Sequence, residues 1–227
     1  MVAYLTTKEM KSVLGVTDRE LMHLRKKKAF QFIKKGRGYL YHLPESVSLL
    51  QHPIGVQLLN WHRKKHGLEI DNTPTDIGSR HSLEILITKI LLPIERTFQR
   101  PFITYGFTST ALANRIKKQY SSGTAPQLDQ HASYERNSAG KQICERGGAA
   151  CDFYVEGVSS ADLTRYIASH LEFDRLYYYG SERPIHVSAV IDTPAKHLQV
   201  MRVSENGRRY PSIKGFGENA IQLAETL

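Results

Sequence analysis

The basic residues of this chain crowd into its first third, and that partition constrains its architecture more than any single motif. Residues 1–66 hold 13 Lys and Arg against 4 Asp and Glu, a net +9, whereas residues 67–227 hold 18 of each and are neutral. Two modules account for such a split: a basic one that meets a polyanion and a neutral one with another task. A length of 227 residues suits one large or two small domains, and 41% hydrophobic content is enough for a core. No apolar run approaches the ~20 residues of a membrane span. The start, MVAYLTTKEM, lacks the apolar region of a secretory signal. Cys144 and Cys151 are too few for a disulfide framework, and they can pair, stay free or bind metal. These features point to a cytoplasmic protein with no membrane partner.

Within the basic module, residues 5–14 read as a helix capped by Thr6 or Thr7, and Gly15 turns the chain. Residues 17–28 read as a second helix. Thr17 and Glu20 form a capping box, Leu21 and Leu24 supply the buried side, and Arg25 to Lys28 form a charge run. Gly36 and Gly38 then flank a turn before the alternating Tyr39, Leu40 and Tyr41, a hairpin signature. Two helices, a tight turn and a basic hairpin resemble a winged helix-turn-helix of the MerR or excisionase type over residues 4–47. The resemblance implies that the second helix enters the DNA major groove and the wing touches phosphate. The expected contacts are Arg19, His23, Arg25, Lys26, Lys27, Lys34, Lys35 and Arg37.

Residues 46–66 are amphipathic with a break at Pro53, and they complete a DNA-binding module over 1–66. Residues 67–80, rich in Gly, Pro and Asn, read as a linker. The remainder, 81–227, reads as an α+β domain with a small, mostly antiparallel sheet. Leu83, Ile87, Ile90, Leu91 and Ile94 give the longest helical pattern, over 80–98, bent or ended at Pro93. Strands are expected at 102–105, 149–155, 175–179, 185–190 and 198–203, with helices at 110–119 and from Ser159 to His170. Residues 121–126 read as a loop, and Ser212 to Gly217 as a glycine-containing loop before a last short helix.

Three residues of the second module have metal-ligand chemistry. His131 lies in a polar loop, Asp152 in the strand at 149–155, and His186 in the strand at 185–190. Two imidazoles and a carboxylate with an open fourth position form the donor set of a hydrolytic zinc site, so Zn2+ is the expected cofactor.

The segment from about 83 to 190 resembles the zinc D-Ala-D-Ala peptidases and the hedgehog amino-terminal domain, which share a fold. The resemblance is carried by PFITYGFTS at Pro101–Ser109, DQH at Asp129–His131, GAACD at Gly148–Asp152 and PIHVS at Pro184–Ser188. It implies His131, Asp152 and His186 as ligands and a zinc-activated water attacking an amide or other scissile bond.

The chain departs from that family in three places. The family's acid shortly before the last His is replaced by Arg183 and Pro184, which leaves Glu182 as the nearest candidate base, on the side of His186 if the strand is regular. The family's oxyanion-stabilising arginine is replaced by Thr108, with Arg136 or Arg183 as possible substitutes. Twenty residues separate His131 from Asp152 where the family has a short spacer, which would put Glu145 at the family's own position. The insertion, Ala132 to Gly148, offers Glu135, Asn137 and Cys144 as specificity groups.

The leading expectation is therefore a metal-dependent hydrolase with a DNA-binding amino-terminal module. Its substrate is a peptide or related to nucleic acid. A nonenzymatic DNA-binding regulator with a structural or sensing zinc site, and a phage-type peptidoglycan peptidase, are the alternatives.

Overall fold

The computed structural model describes residues 4–43, 47–119 and 129–227, so the expected loop at 121–126 lies outside the described residues. The chain is of mixed α+β class and divides into two compact units, Met1–Val56 and Gln57–Leu227.

The first unit contains β1 (Tyr4–Thr6), α1 (Thr7–Leu14), α2 (Asp18–Lys26), β2 (Phe32–Lys35) and β3 (Gly38–His42). Both helices start in full capping boxes: Thr6 and Glu9 close α1, and Thr17 and Glu20 close α2. Gly15, with φ of 65°, ends α1 in the left-handed conformation that glycine adopts without a Cβ penalty. The strands form an antiparallel sheet in the order β1-β3-β2. Leu5, Met10, Val13, Leu21 and Tyr41 are its buried core. Helix α3 (Pro53–His66) begins at Pro53, where a missing N–H costs nothing.

The expected boundary at 66/67 is thus displaced to 56/57, and the expected linker at 67–80 is built into the second unit. Asn72 is buried and donates to the carbonyls of Leu59 (2.9 Å) and Phe107 (2.7 Å) while accepting from the Ser109 N–H (2.8 Å). A residue that resembles a breaker in sequence here satisfies three backbone groups of the fold.

The second unit continues with α4 (Ile77–Leu86), a wide helical turn at Ile87–Leu91, α5 (Leu92–Thr97), β4 (Phe102–Tyr105), α6 (Thr110–Gln119), a tight turn at Gln130–Ala132, β5 (Ala149–Tyr154), α7 (Ser160–His170), β6 (Arg175–Tyr178), β7 (Ile185–Ala189), β8 (His197–Val203), β9 (Arg209–Phe216) and α8 (Glu218–Glu225). Strand β9 occupies the stretch expected to be a glycine-containing loop. Its Pro211 is tolerated because β9 is an edge strand.

The sheet order is β4-β5-β7-β6-β8-β9, antiparallel except between β6 and β8. Alternation along the strands separates two faces. Cys151, Phe153, Leu176, Ile185, Val187 and Leu198 form one, all fully buried, and α4, α7 and α8 pack on the sheet. The other face carries a single transverse row at one register: Tyr105 opposite Asp152, Asp152 opposite His186, His186 opposite Tyr177, and Tyr177 opposite Gln199. Among the described residues, no helix is long and apolar enough to cross a membrane.

Candidate functional site

His131 stands on the Gln130–Ala132 turn and is fixed from three sides. Its N–H donates to Asp129 Oδ1 (3.0 Å), its carbonyl accepts from the Thr108 N–H (3.0 Å), and its Nδ1 lies 3.1 Å from the Gly106 carbonyl oxygen. A carbonyl can only accept, so Nδ1 carries a proton, and in the neutral ring Nε2 presents a lone pair. That Nε2 is 3.5 Å from Asp152 Oδ1, and the same oxygen is 2.8 Å from His186 Nδ1. Ligand atoms around a tetrahedral zinc lie about 3.3 Å apart, given bonds of ~2.0–2.1 Å. The three expected residues therefore meet at Asp152 Oδ1, which accepts a hydrogen bond from His186 Nδ1 and faces His131 Nε2 in a longer ion-pair contact. Their donor set of two nitrogens and one oxygen fits a divalent metal.

The environment of the three is asymmetric. His131 and His186 are buried, whereas the Asp152 side chain is 30% exposed, which leaves one side open. Burial disfavours charge on His131, but Asp152, Asp129 and the Gly106 carbonyl outweigh it and raise its pKa. Burial likewise works against ionised Asp152, and the two imidazoles reverse this and hold its carboxyl far below the usual range. Tyr177 stacks on His186, with centroids 4.9 Å apart.

Three residues of the site were not anticipated from sequence. Asp129 places a carboxylate oxygen within 4.8 Å of ligand nitrogens on His131 and His186, and these three form a metal-competent group of their own. The Asp-x-His spacing was the available signal. Tyr105 sets its ring edge against His131 (5.1 Å, 78°). Lys65 of α3, counted in sequence with the basic module, belongs to the second unit, and its ammonium lies 4.6 Å from the Tyr105 ring centroid.

The insertion is a closed excursion, and for this reason a long spacer still yields a compact site. Gln130 Nε2 donates to the Gly147 carbonyl (3.1 Å), so the chain returns to where it left. Asp174, fully buried, accepts from Gln130 (3.0 Å), from the Ala195 N–H (2.8 Å) and from Nε of Arg146 (2.6 Å), with a second Arg146 contact. Burial would raise the pKa of Asp174, but Arg146, Ala195 and Gln130 together hold it below 3.8. Gly148, at φ of 80°, lies so close to β7 that a Cβ would meet the Ala189 carbonyl at 2.5 Å.

Several expected groups lie elsewhere or are otherwise engaged. Glu182 and Arg183 are exposed in the turn that precedes β7, so strand alternation does not align Glu182 with His186. Arg136 is exposed and donates to the Gly140 carbonyl (2.9 Å) inside the insertion. Thr108 is fully buried, and its hydroxyl donates to Gly106. Glu145 is exposed beside Lys141. Glu135 is buried, and its carboxylate accepts from Thr75 N (3.0 Å), Thr75 Oγ1 (2.6 Å) and Asp76 N (3.1 Å), so it anchors the entry to α4. Asn137 closes its own turn by accepting from the Ala139 and Lys141 N–H groups, each at 3.0 Å. Cys144 and Cys151 are both free, and burial raises both thiol pKa values.

In the first unit, Arg19, His23 and Lys27 recur every four residues along α2 and its end, and they line a hollow with Val16, Glu20 and Leu24. Lys26 is exposed too, as are Lys34, Lys35 and Arg37 on the hairpin. Arg25 differs. Its guanidinium lies 3.7 Å from the Tyr39 ring centroid and donates to Tyr41 Oη (3.0 Å), so it ties α2 to the hairpin.

Compared with protein-family models, curated proteins and solved structures, the chain matches none.

Proposed function

We propose that the second unit is a zinc-dependent hydrolase related in design to the D-Ala-D-Ala peptidases, and that the first is a winged helix-turn-helix that binds DNA. One observation carries the hydrolase reading: Asp152 Oδ1 faces a nitrogen of each histidine at 2.8 and 3.5 Å, with the His131 tautomer set by Gly106. A zinc ion held by His131, Asp152 and His186 would supply a Lewis acid and acidify a water. Asp129 Oδ1 accepts from the His131 N–H, and a carboxylate oxygen of Asp129 lies within 4.8 Å of ligand nitrogens on both histidines, so Asp129 is our candidate proton acceptor. Tyr177 holds the His186 ring in its plane. Metal analysis of the purified full-length protein tests the reading. It fails if neither zinc nor a similar metal binds and His131→Ala changes nothing.

DNA binding is supported by the exposed basic row on α2 and the basic hairpin. A salt-dependent shift of duplex DNA, weakened by Arg19→Ala and Lys34→Ala together, is its test.

A second reading has its own support. Thr108 is buried, and Arg136, Arg183 and Glu182 are exposed. These positions favour a DNA-binding regulator whose metal site is structural or senses a ligand, and hydrolysis of no substrate by the zinc-loaded protein would be its signature.

A further inference from the structure

We infer that Tyr105 is a catalytic residue of this site, its hydroxyl donating a hydrogen bond to the substrate oxygen that gains negative charge. The inference rests on the hydrolase reading above. It fills the role that Thr108, Arg136 and Arg183 leave open.

Tyr105 ends β4 directly opposite Asp152, at the head of the transverse row that holds His186 and Tyr177. Its ring is fixed on several sides. Trp61 packs against it (4.0 Å, 34°), the Lys65 ammonium lies 4.6 Å from its centroid, and its edge meets His131. Trp61 is itself anchored by its indole N–H on the Phe107 carbonyl (2.8 Å). Gly106 lets this end of β4 approach α3 so closely that a Cβ would meet the Leu58 carbonyl at 2.3 Å.

Within this rigid setting the residue is only 9% exposed, yet among the described residues its enclosed hydroxyl has no hydrogen-bond partner. Buried polar groups in folded proteins are nearly always paired, so an orphan donor requires an explanation. A tyrosine whose ring is fixed against His131 and opposite Asp152, and whose hydroxyl lacks an acceptor of its own among the described residues, offers the kind of preorganised donor that stabilisation of a developing oxyanion requires.

The test uses full-length protein loaded with Co2+ and titrated with acetohydroxamate, read by visible absorption. Tyr105→Phe should bind Co2+ within threefold of the wild type and acetohydroxamate about tenfold more weakly, the loss of one hydrogen bond. In the zinc-loaded wild type, acetohydroxamate should shift the tyrosine ultraviolet band, a readout that needs no variant. Equal hydroxamate affinity in Tyr105→Phe, a Co2+ affinity that falls just as far, or no tyrosine shift would each overturn the inference. A wild type that takes up no Co2+ overturns the metal reading and this inference with it, whereas an intact cobalt site with unchanged hydroxamate affinity overturns this inference alone.

Discussion

The Nδ1 of His131 sits 3.1 Å from the carbonyl oxygen of Gly106, and this contact turns the other ring nitrogen towards Asp152. The metal-competent geometry therefore depends on a backbone atom, which no side-chain substitution removes. The contact is vulnerable to a shift of the backbone that follows β4.

Gly106→Ala should supply that shift. The new Cβ would collide with the Leu58 carbonyl, which costs about 1–3 kcal/mol in urea melts as overpacking does. Zinc affinity should fall about tenfold as the Gly106 oxygen moves, against at least about a hundredfold for His131→Ala. Wild-type zinc affinity in a folded Gly106→Ala protein would show that the contact does not orient the ring.

Asp174→Asn should destabilise the second unit by about 1–3 kcal/mol, because a buried acceptor loses its charge-assisted hydrogen bonds while Arg146, 37% exposed, can turn to water. The pH dependence follows from the depressed carboxyl. Asp174 in the folded chain titrates below the usual 3.8, so its contribution is present above that value and is lost as pH falls through it towards the folded pKa. Urea midpoints at pH 7, 5 and 3 should drop more steeply in the wild type than in Asp174→Asn below pH 4. Parallel curves would remove Asp174 from the account of acid sensitivity.

Asp129 and Glu182 make opposite predictions. Asp129→Asn keeps the acceptor for the His131 N–H but removes a charge beside both imidazoles, so zinc affinity should drop about tenfold. Glu182→Gln, in an exposed turn, should leave it within twofold. Competition against a chelating dye measures both, and the reverse ranking would return Glu182 to the site.

The basic residues of the first unit should separate into two classes. Lys34→Ala and Lys35→Ala should each lower the slope of log affinity against log salt by about 0.9 on duplex DNA, with little change in melting. Arg25→Ala should instead cost about 1–2 kcal/mol of stability, since its guanidinium packs on Tyr39 and bonds Tyr41. A destabilised Lys34→Ala, or an Arg25→Ala that melts like the wild type, would erase the distinction.

The local features were legible because each is decided within a few residues. The capping box of Thr17 with Glu20, the glycine stop at Gly15 and the apolar alternation around Cys151 and Phe153 all depend on neighbours in sequence. That His131, Asp152 and His186 belong together was legible from their residue types and order, and the structure does bring them into contact. The unit boundary was not legible, since Asn72 and Lys65 look like linker and basic tail until the backbone groups and rings that they meet are known.

By itself, then, the sequence determined the capped helices, the alternating strands, the charge partition and the residue types of the three candidate ligands. Only the tertiary structure decided that these three meet, because their approach is set by the register of β4, β5 and β7 and by an insertion whose ends Gln130 joins at Gly147. It also decided their company, bringing Tyr105 and Asp129 to the site and leaving Glu182 and Arg183 exposed in a turn. Cross-strand register and loop closure are long-range relations, and no short window of sequence contains both partners.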